Sequence, residues 1–111
     1  MAYDEDLAAR VRELLGDEGD VSEKKMFGGL AFLVGGRMAV AASGQGGLLV
    51  RVDPSSRQTL LARTKARPME MRAREVEGWL RVEAADVRTS RQLLRWVERG
   101  VGFARSLPPE H

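Results

Sequence analysis

The chain has 111 residues, of which 43% are hydrophobic and 31% charged, so it predicts a single domain over 1–111 with one apolar core. It contains no cysteine, which excludes disulfides, thiolate metal sites and cysteine nucleophiles. Its only histidine is the last residue, His111, so we expect neither an imidazole base nor a histidine-bound metal. Residues 4–6 are acidic, unlike a signal peptide, and no apolar run approaches the roughly 18 residues of a membrane helix. We therefore expect a cytoplasmic, soluble protein with no catalytic residues, no cofactor and no metal.

The N-terminal segment predicts an amphipathic helix over residues 4–15. Leu7, Val11, Leu14 and Leu15 recur at the spacing of one helical face. The acids at the start of this segment fit the positive end of the helix dipole.

Three antiparallel strands are predicted over residues 26–52, because apolar residues run through this segment and two glycine-rich reversals, Gly35-Gly36 and 44–47, interrupt it. Both faces of the first hairpin are apolar or small, so periodicity does not identify the face that meets the core. A two-residue turn at the first reversal sets these cross-strand pairs: Leu33 with Met38, and Ala31 with Val40.

Asp53-Pro54 predicts the start of a second helix, because aspartate caps a helix and proline fits its first turn. This helix runs to about Lys65 and buries Leu60 and Leu61. A short strand around Met69 and a longer strand after it complete the predicted sheet. In the longer strand two sets of residues alternate: Val76, Gly78, Leu80 and Val82 inward, and Glu77, Trp79 and Arg81 outward.

The final helix is predicted from a capping box formed by Thr89 and Gln92. Its inward stripe consists of Leu93, Val97, Val101 and Ala104. The resulting order is α-β-β-β-α-β-β-α, with the strands clustered in hairpins. This order favours an α+β fold of two layers, with helices packed on an antiparallel sheet of about five strands.

Charge is distributed unevenly along the chain. Residues 4–20 carry seven acids against two bases, residues 51–74 carry seven bases against two acids, and residues 88–105 carry five bases against one acid. Basic surfaces of this kind are able to attract acidic partners. The preferred interpretation is a codon bias that places arginine rather than lysine on solvated faces, since charge alone does not identify a partner.

Arg88, Arg91, Arg95 and Arg99 recur every three or four residues, which predicts a row along one face of the final helix. Like charges at this spacing repel each other unless an anion lies beside them. The acidic first helix of the same molecule is the preferred counterpart, since it requires no second molecule. A partner protein comes next, and nucleic-acid phosphate, contacted by this row and the basic region 51–74, comes third.

Trp79 is predicted on the solvent side of its strand, between Glu77 and Arg81. An exposed tryptophan on a sheet marks an interface, or it lies beneath a covering segment or a stacked arginine. Both interpretations stay open, and an apolar sheet face also allows a homodimer.

Carboxylates occur in two pairs, Glu75/Glu77 and Glu83/Asp86. An acid–base site needs a carboxyl group in a water-poor pocket, whereas acids are seldom fully buried. The alternation of the strand therefore predicts solvated charges.

The paired glycines Gly28-Gly29 follow Lys24-Lys25. A phosphate-binding loop needs its lysine after the glycines and at the start of a helix. A bulge or a close packing contact is predicted for these glycines instead.

Six short segments and the apolar hairpin up to Ala42 occur in a recognisable order, within a match that extends from about Leu7 to Pro108. The segments are 24–29, followed by the hairpin, then 49–53, 67–71, 78–79, 96–98 and 103–108. Together they resemble the N-terminal domain of the TfoX/Sxy family. The resemblance implies a bacterial, stand-alone single-domain protein with a two-layer α+β fold. It supplies no catalytic residues.

The TfoX/Sxy family is named for regulators of natural competence that act with the cyclic-AMP receptor protein. The resemblance therefore implies a non-catalytic accessory module of transcription regulation that contacts a protein partner, such as a cyclic-AMP-receptor-type regulator. Nucleic-acid binding is the alternative. The candidate partner-binding residues are Trp79, Arg81, Arg88, Arg91, Arg95 and Arg99.

Overall fold

A computed structural model describes residues 3–16, 19–26 and 28–108. Within these ranges the chain forms three α-helices, α1 (Glu5–Leu14), α2 (Arg57–Arg63) and α3 (Ser90–Ser106), and six strands. The strands are β1 (Val21–Met26), β2 (Gly29–Val34), β3 (Arg37–Ala42), β4 (Leu48–Arg51), β5 (Arg67–Met71) and β6 (Arg74–Val82). The predicted α+β class and element order are confirmed, but the sheet has six strands rather than about five.

The strand that the sequence did not predict is β1. Four consecutive side chains of this strand, 22–25, are exposed and polar, so the segment lacks the apolar alternation that reveals a half-buried strand. Its extended form comes from backbone pairing with β2, from Val21 opposite Val34 to Met26 opposite Gly29.

The strands form one antiparallel sheet in the order β1-β2-β3-β4-β6-β5. One face, called here the inner face, packs against the helices, and the opposite face is called the outer face. The inner core is apolar throughout and includes Phe32, Val40, Val50 and Leu80 from the sheet with Val11 and Leu93 from the helices.

Helix starts follow the predicted capping chemistry. The Asp4 carboxylate accepts a hydrogen bond from the Leu7 amide at 3.1 Å, and the predicted capping box of Thr89 and Gln92 is present at α3. Asp53 caps a 3₁₀ turn over Pro54–Ser56, and the α-helix begins only after it. Helix α2 is consequently shorter than predicted, and its two leucines are half-buried.

The predicted hairpin register holds only near its turn. Leu33 pairs with Met38 as predicted, but Ala31 pairs with Ala41, and the register shifts between Phe32 and Leu33. The shift inserts an extra residue into β3, an irregularity that twists a strand and that hydrophobic pattern alone does not specify.

A second irregularity corrects the predicted alternation of β6. The pairing between β5 and β6 shifts between Pro68 and Glu70, so the facing of the side chains changes along β6. Leu80 and Val82 belong to the inner core, whereas Val76 packs against the cluster on the outer face.

The link between α1 and the sheet edge is ionic. Nε and Nη2 of Arg12 donate to the two carboxylate oxygens of Glu23 at 2.6 and 2.9 Å. These hydrogen bonds are the main reason that the pKa of the Glu23 carboxyl group lies below its ordinary value.

The predicted close contact at Gly28-Gly29 is confirmed. A Cβ atom on Gly29 would overlap the Ala42 carbonyl oxygen, and one on Gly44 would lie 2.6 Å from the Gly28 carbonyl oxygen. The β1–β2 and β3–β4 loops therefore touch through backbone atoms.

Within the described ranges no helix is both long and apolar enough to cross a membrane.

Replacing Gly44 with alanine tests this backbone contact. We expect Gly44→Ala to lower the free energy of unfolding by roughly 1–3 kcal/mol, because the added methyl group forces the two loops apart. Urea unfolding followed by tryptophan fluorescence measures the change.

The matched control is Gly102→Ala. Gly102 lies exposed in α3, and a Cβ atom added there would meet only open space within 4 Å, apart from the backbone of its own helix. We therefore expect a gain of roughly 0.5–1 kcal/mol from helix propensity. Equal stability of the two variants would contradict the loop contact.

Candidate interaction surfaces

Three of the four carboxylates in the predicted pairs form ion pairs with basic side chains, and the fourth, Glu77, is exposed. Glu75 lies 2.5 Å from Arg57, Glu83 lies 2.9 Å from Arg81, and Asp86 lies 3.9 Å from Lys65. Among the described residues, no group of three histidine, cysteine or acidic side chains is placed to hold a metal ion.

Trp79 points to the outer face, as predicted, but its ring is buried, with 7% of its surface exposed. It packs in a cluster with Ala31, Ala41, Leu49 and Met69. The small alanines leave room for the indole to lie across the sheet. The interpretation of a free, solvent-exposed ring is therefore wrong, while a role of its surroundings in partner binding stays a prediction.

Further apolar side chains surround this cluster on the outer face. Met26, Leu33, Met38 and Val76 pack against it and are only half-buried. Met71, 36% exposed, lines an adjoining recess of about 520 Å³ together with Met69. We call the half-buried and exposed residues of this surface the outer-face patch: Met26, Leu33, Met38, Met71 and Val76.

Arg81 lies beside Trp79, but its guanidinium group is bound within the protein. It donates to Glu83 at 2.9 Å, to the Ser43 hydroxyl at 3.1 Å and to the Gly46 carbonyl at 2.7 Å. Ser43 and Gly46 belong to the β3–β4 loop, so Arg81 fixes that loop to β6. Sequence inspection missed this role because the loop acceptors, Ser43 and Gly46, are 38 and 35 residues away in the chain.

The arginine row on α3 and the preceding turn does not pair with the first helix. Among the described residues, no acid forms an ion pair with Arg88, Arg91, Arg95 or Arg99. The side chain of α1 that reaches this region is a base: Arg10 donates to the carbonyl oxygens of Val87 and Arg88, at 2.9 and 3.0 Å. The preferred prediction of intramolecular pairing is thus wrong for the described part, and Asp17 and Glu18 lie outside it.

Arg99 differs from the rest of the row because it is half-buried. Its guanidinium carbon lies 4.4 Å from the centre of the Trp96 ring, a cation–π contact. Burial lowers the pKa of Arg99 below its ordinary value, and the neighbouring charge of Arg95 lowers it further.

The basic region 51–74 does not form one surface. Arg57 and Lys65 are held in ion pairs, and Arg51 lies over the Phe103 ring at 5.6 Å. The remaining bases of this region are exposed and are spread over α2, β5, the β5–β6 turn and the start of β6: Arg63, Arg67, Arg72 and Arg74.

The candidate residues therefore fall on two sides of the molecule. Trp79 and Arg81 belong to the outer face, and the arginine row belongs to the helix layer that covers the inner face. Sequence reasoning did not identify the methionines of the outer face, although their alternation at Met69 and Met71 was visible.

Comparison with protein families identifies the family of this chain. The profile of the TfoX N-terminal domain matches residues 13–104, which is most of the chain, so the chain belongs to this family. A comparison with functionally curated proteins returned no match.

The hydrogen bonds from Arg81 to the β3–β4 loop, called here the Arg81 clamp, lead to a stability prediction. We expect Arg81→Ala to lower the free energy of unfolding by about 2 kcal/mol, because the Ser43 hydroxyl and loop carbonyls lose a charged donor. Urea unfolding measures the loss, and amide hydrogen exchange should accelerate most at residues 44–47.

Arg74→Ala is the control for this variant, since Arg74 is an exposed arginine of the same strand. Its unfolding free energy should stay within about 0.5 kcal/mol of the unmodified protein. If Arg81→Ala behaves like the control, the clamp does not stabilise the loop.

Proposed function

We propose that this member of the TfoX N-terminal domain family is a non-catalytic accessory module that binds another protein through the outer face of its sheet. The observation that supports this proposal is the outer-face patch. An antiparallel sheet that faces water on one side usually alternates apolar residues toward the core with polar residues toward solvent. Here the outward positions at the centre of the sheet, Ala31, Ala41, Leu49 and Trp79, are also apolar.

Methionine dominates this surface. The four methionines within the described residues are Met26, Met38, Met69 and Met71, and all of them lie on or beside the outer face. Methionine side chains are unbranched and polarizable, so they adapt to the shape of a partner. An apolar surface of this type is typical of protein contacts.

The charges at the border of the patch indicate the chemistry of the partner. Apart from the Arg81–Glu83 ion pair, the charged residues that line the adjoining recess are two bases, Arg67 and Arg72, and one acid, Glu70. Lys24 lies opposite Ala31 at the other edge. A partner that presents apolar side chains flanked by carboxylates would complement both features. The family is named for regulators that act with the cyclic-AMP receptor protein, so a receptor of that type is the partner that we propose to test first.

The test compares two variants that each place a lysine on a different surface. We expect Met38→Lys, on the outer face, to weaken binding to a purified cyclic-AMP receptor protein at least tenfold, as for residues central to an interface. Isothermal titration calorimetry measures the affinity. Leu94→Lys is the control, because Leu94 is an exposed leucine of α3, 41% accessible, and its binding should be unchanged.

Equal loss in both variants, or none in either, would refute a contact through the outer face. A second copy of the chain is the other occupant to consider. Sedimentation equilibrium of the protein alone would detect it as a dimer that Met38→Lys dissociates and Leu94→Lys preserves.

Nucleic-acid binding is the second candidate, supported by the arginine row. Phosphate groups would supply the negative charge that the described residues do not provide. We expect affinity for duplex DNA to fall by about 0.9 log unit per log unit of salt for each phosphate contact. The variant Arg91→Glu/Arg95→Glu should abolish binding in a fluorescence anisotropy assay.

Lys24→Glu/Lys25→Glu on the edge strand β1 is the matched charge control and should retain binding. A flat response to salt, or equal effects of the two double variants, would reject the arginine row as a nucleic-acid surface.

A further inference from the structure

Arg99 is an exception among the half-buried arginines. Six arginines are half-buried in the described residues, and five of them donate hydrogen bonds to oxygen atoms: Arg10, Arg37, Arg51, Arg57 and Arg81. Arg99 donates to no oxygen atom of the described residues. A guanidinium group has five N–H donors, and leaving charged donors without acceptors in a partly desolvated place costs free energy.

The surroundings of Arg99 form a recess with an excess of positive charge. The recess has a volume of about 220 Å³, and its lining includes Lys65, Asp86, Arg95, Trp96 and Arg99. Asp86 is the acid of this lining, and its carboxylate lies 3.9 Å from the Lys65 ammonium group. Three cations against one carboxylate leave two positive charges, which a dianion would neutralise.

The Trp96 ring gives the recess a fixed geometry. Trp96 is buried in the inner core, and the guanidinium carbon of Arg99 lies over its ring, 4.4 Å from the centre. A guanidinium group held in this way keeps its fork of donors oriented, and such a fork matches two oxygen atoms of a phosphoryl group.

A second concave surface begins at Arg99. It is a groove of about 490 Å³ between the start of α2 and the end of α3, and it shares Arg99 with the recess. Val52, Leu60 and Phe103 supply apolar surface there, and Ser55, Ser56 and Thr59 supply hydroxyl groups. Asp53 also lines the groove, and its carboxylate accepts a hydrogen bond from the Ser55 amide at 2.9 Å. This volume and this mixture of apolar surface and a few polar groups are typical of sites for small organic molecules.

We propose that the recess binds the phosphoryl group of a small phosphate monoester and that the apolar body of the ligand lies in the adjoining groove. Arg99 and Arg95 donate N–H groups to the phosphoryl oxygens, and Lys65 contributes its charge. A monoester is a dianion above pH values near 6, which matches the excess charge of the recess. A phosphodiester or a carboxylate has a single charge and leaves the recess half-neutralised.

The two tryptophans provide a direct test by NMR. We expect titration with phenyl phosphate, at neutral pH and constant ionic strength, to shift the indole N–H signal of Trp96 with saturation. The indole signal of Trp79 should stay constant, because Trp79 lies on the outer face of the sheet. Methyl phenyl phosphate has the same ring with one charge fewer, and inorganic phosphate lacks the ring, so both should bind more weakly.

Variants distinguish the recess from the general positive charge of α3. Arg99→Gln should weaken phenyl phosphate binding roughly 10- to 100-fold, the effect of one charged hydrogen bond. Arg91→Gln removes the same charge from an exposed position of the same helix and should change the affinity less than twofold. If Arg99→Gln does not fold, as judged by circular dichroism, Arg95→Gln takes its place with the same expected direction.

Three results would overturn the proposal. They are the absence of a saturable shift at Trp96 with phenyl phosphate, equal affinities for the monoester and the diester, and equal effects of Arg99→Gln and Arg91→Gln. The outer-face variant Met38→Lys should bind phenyl phosphate like the unmodified protein, so this result is independent of the proposed protein contact.

Discussion

The constraint on which the rest of the structure depends is the placement of the helices on one side of the sheet. Helices α1 and α3 bury the inner face, and within the described residues the outer face has no helical cover. Trp79 and Met69 therefore have to bury the central alanines, and the half-buried side chains around them face solvent. The same placement puts the arginine row and the recess at Arg99 on the opposite side of the molecule, so the two candidate surfaces can act independently.

Local chemistry made the helices and most strands predictable. The Thr89 side chain accepts a hydrogen bond from the Gln92 backbone N–H, and the Gln92 side chain accepts one from the Thr89 backbone N–H. The start of α3 is therefore specified by residues within the segment itself. The features that were not predictable depend on partners distant in the chain. Strand β1 is defined by its pairing with β2, and the facing of Val76 is decided by an irregularity in the β5–β6 pairing. The sequence pattern of a single strand contains no information about either.

The candidate site likewise combines features that the local sequence specifies with features that depend on residues distant in the chain. The row of arginines was visible from its spacing, but its partners were not. The sequence does not distinguish Arg81 from Arg99. In the structure, Arg81 donates hydrogen bonds to loop carbonyls of its own chain. Arg99 packs against the Trp96 ring and donates to no oxygen atom of the described residues. The difference arises because, within the described ranges, the fold places backbone carbonyl acceptors beside Arg81 but not beside Arg99. Arg81 therefore stabilises the fold, whereas Arg99 is suited to binding a ligand.

The two borders of the sheet determine how this protein can associate with others. The edge strand β1 exposes Lys24 and Lys25. The opposite edge strand, β5, contains Pro68, which has no N–H to donate. Charged side chains and proline at these positions oppose the addition of a foreign strand. The addition of a foreign strand to an open sheet edge is thereby disfavoured. Stable assemblies of this domain should therefore form through side-chain contacts on its faces rather than through backbone hydrogen bonds between edge strands.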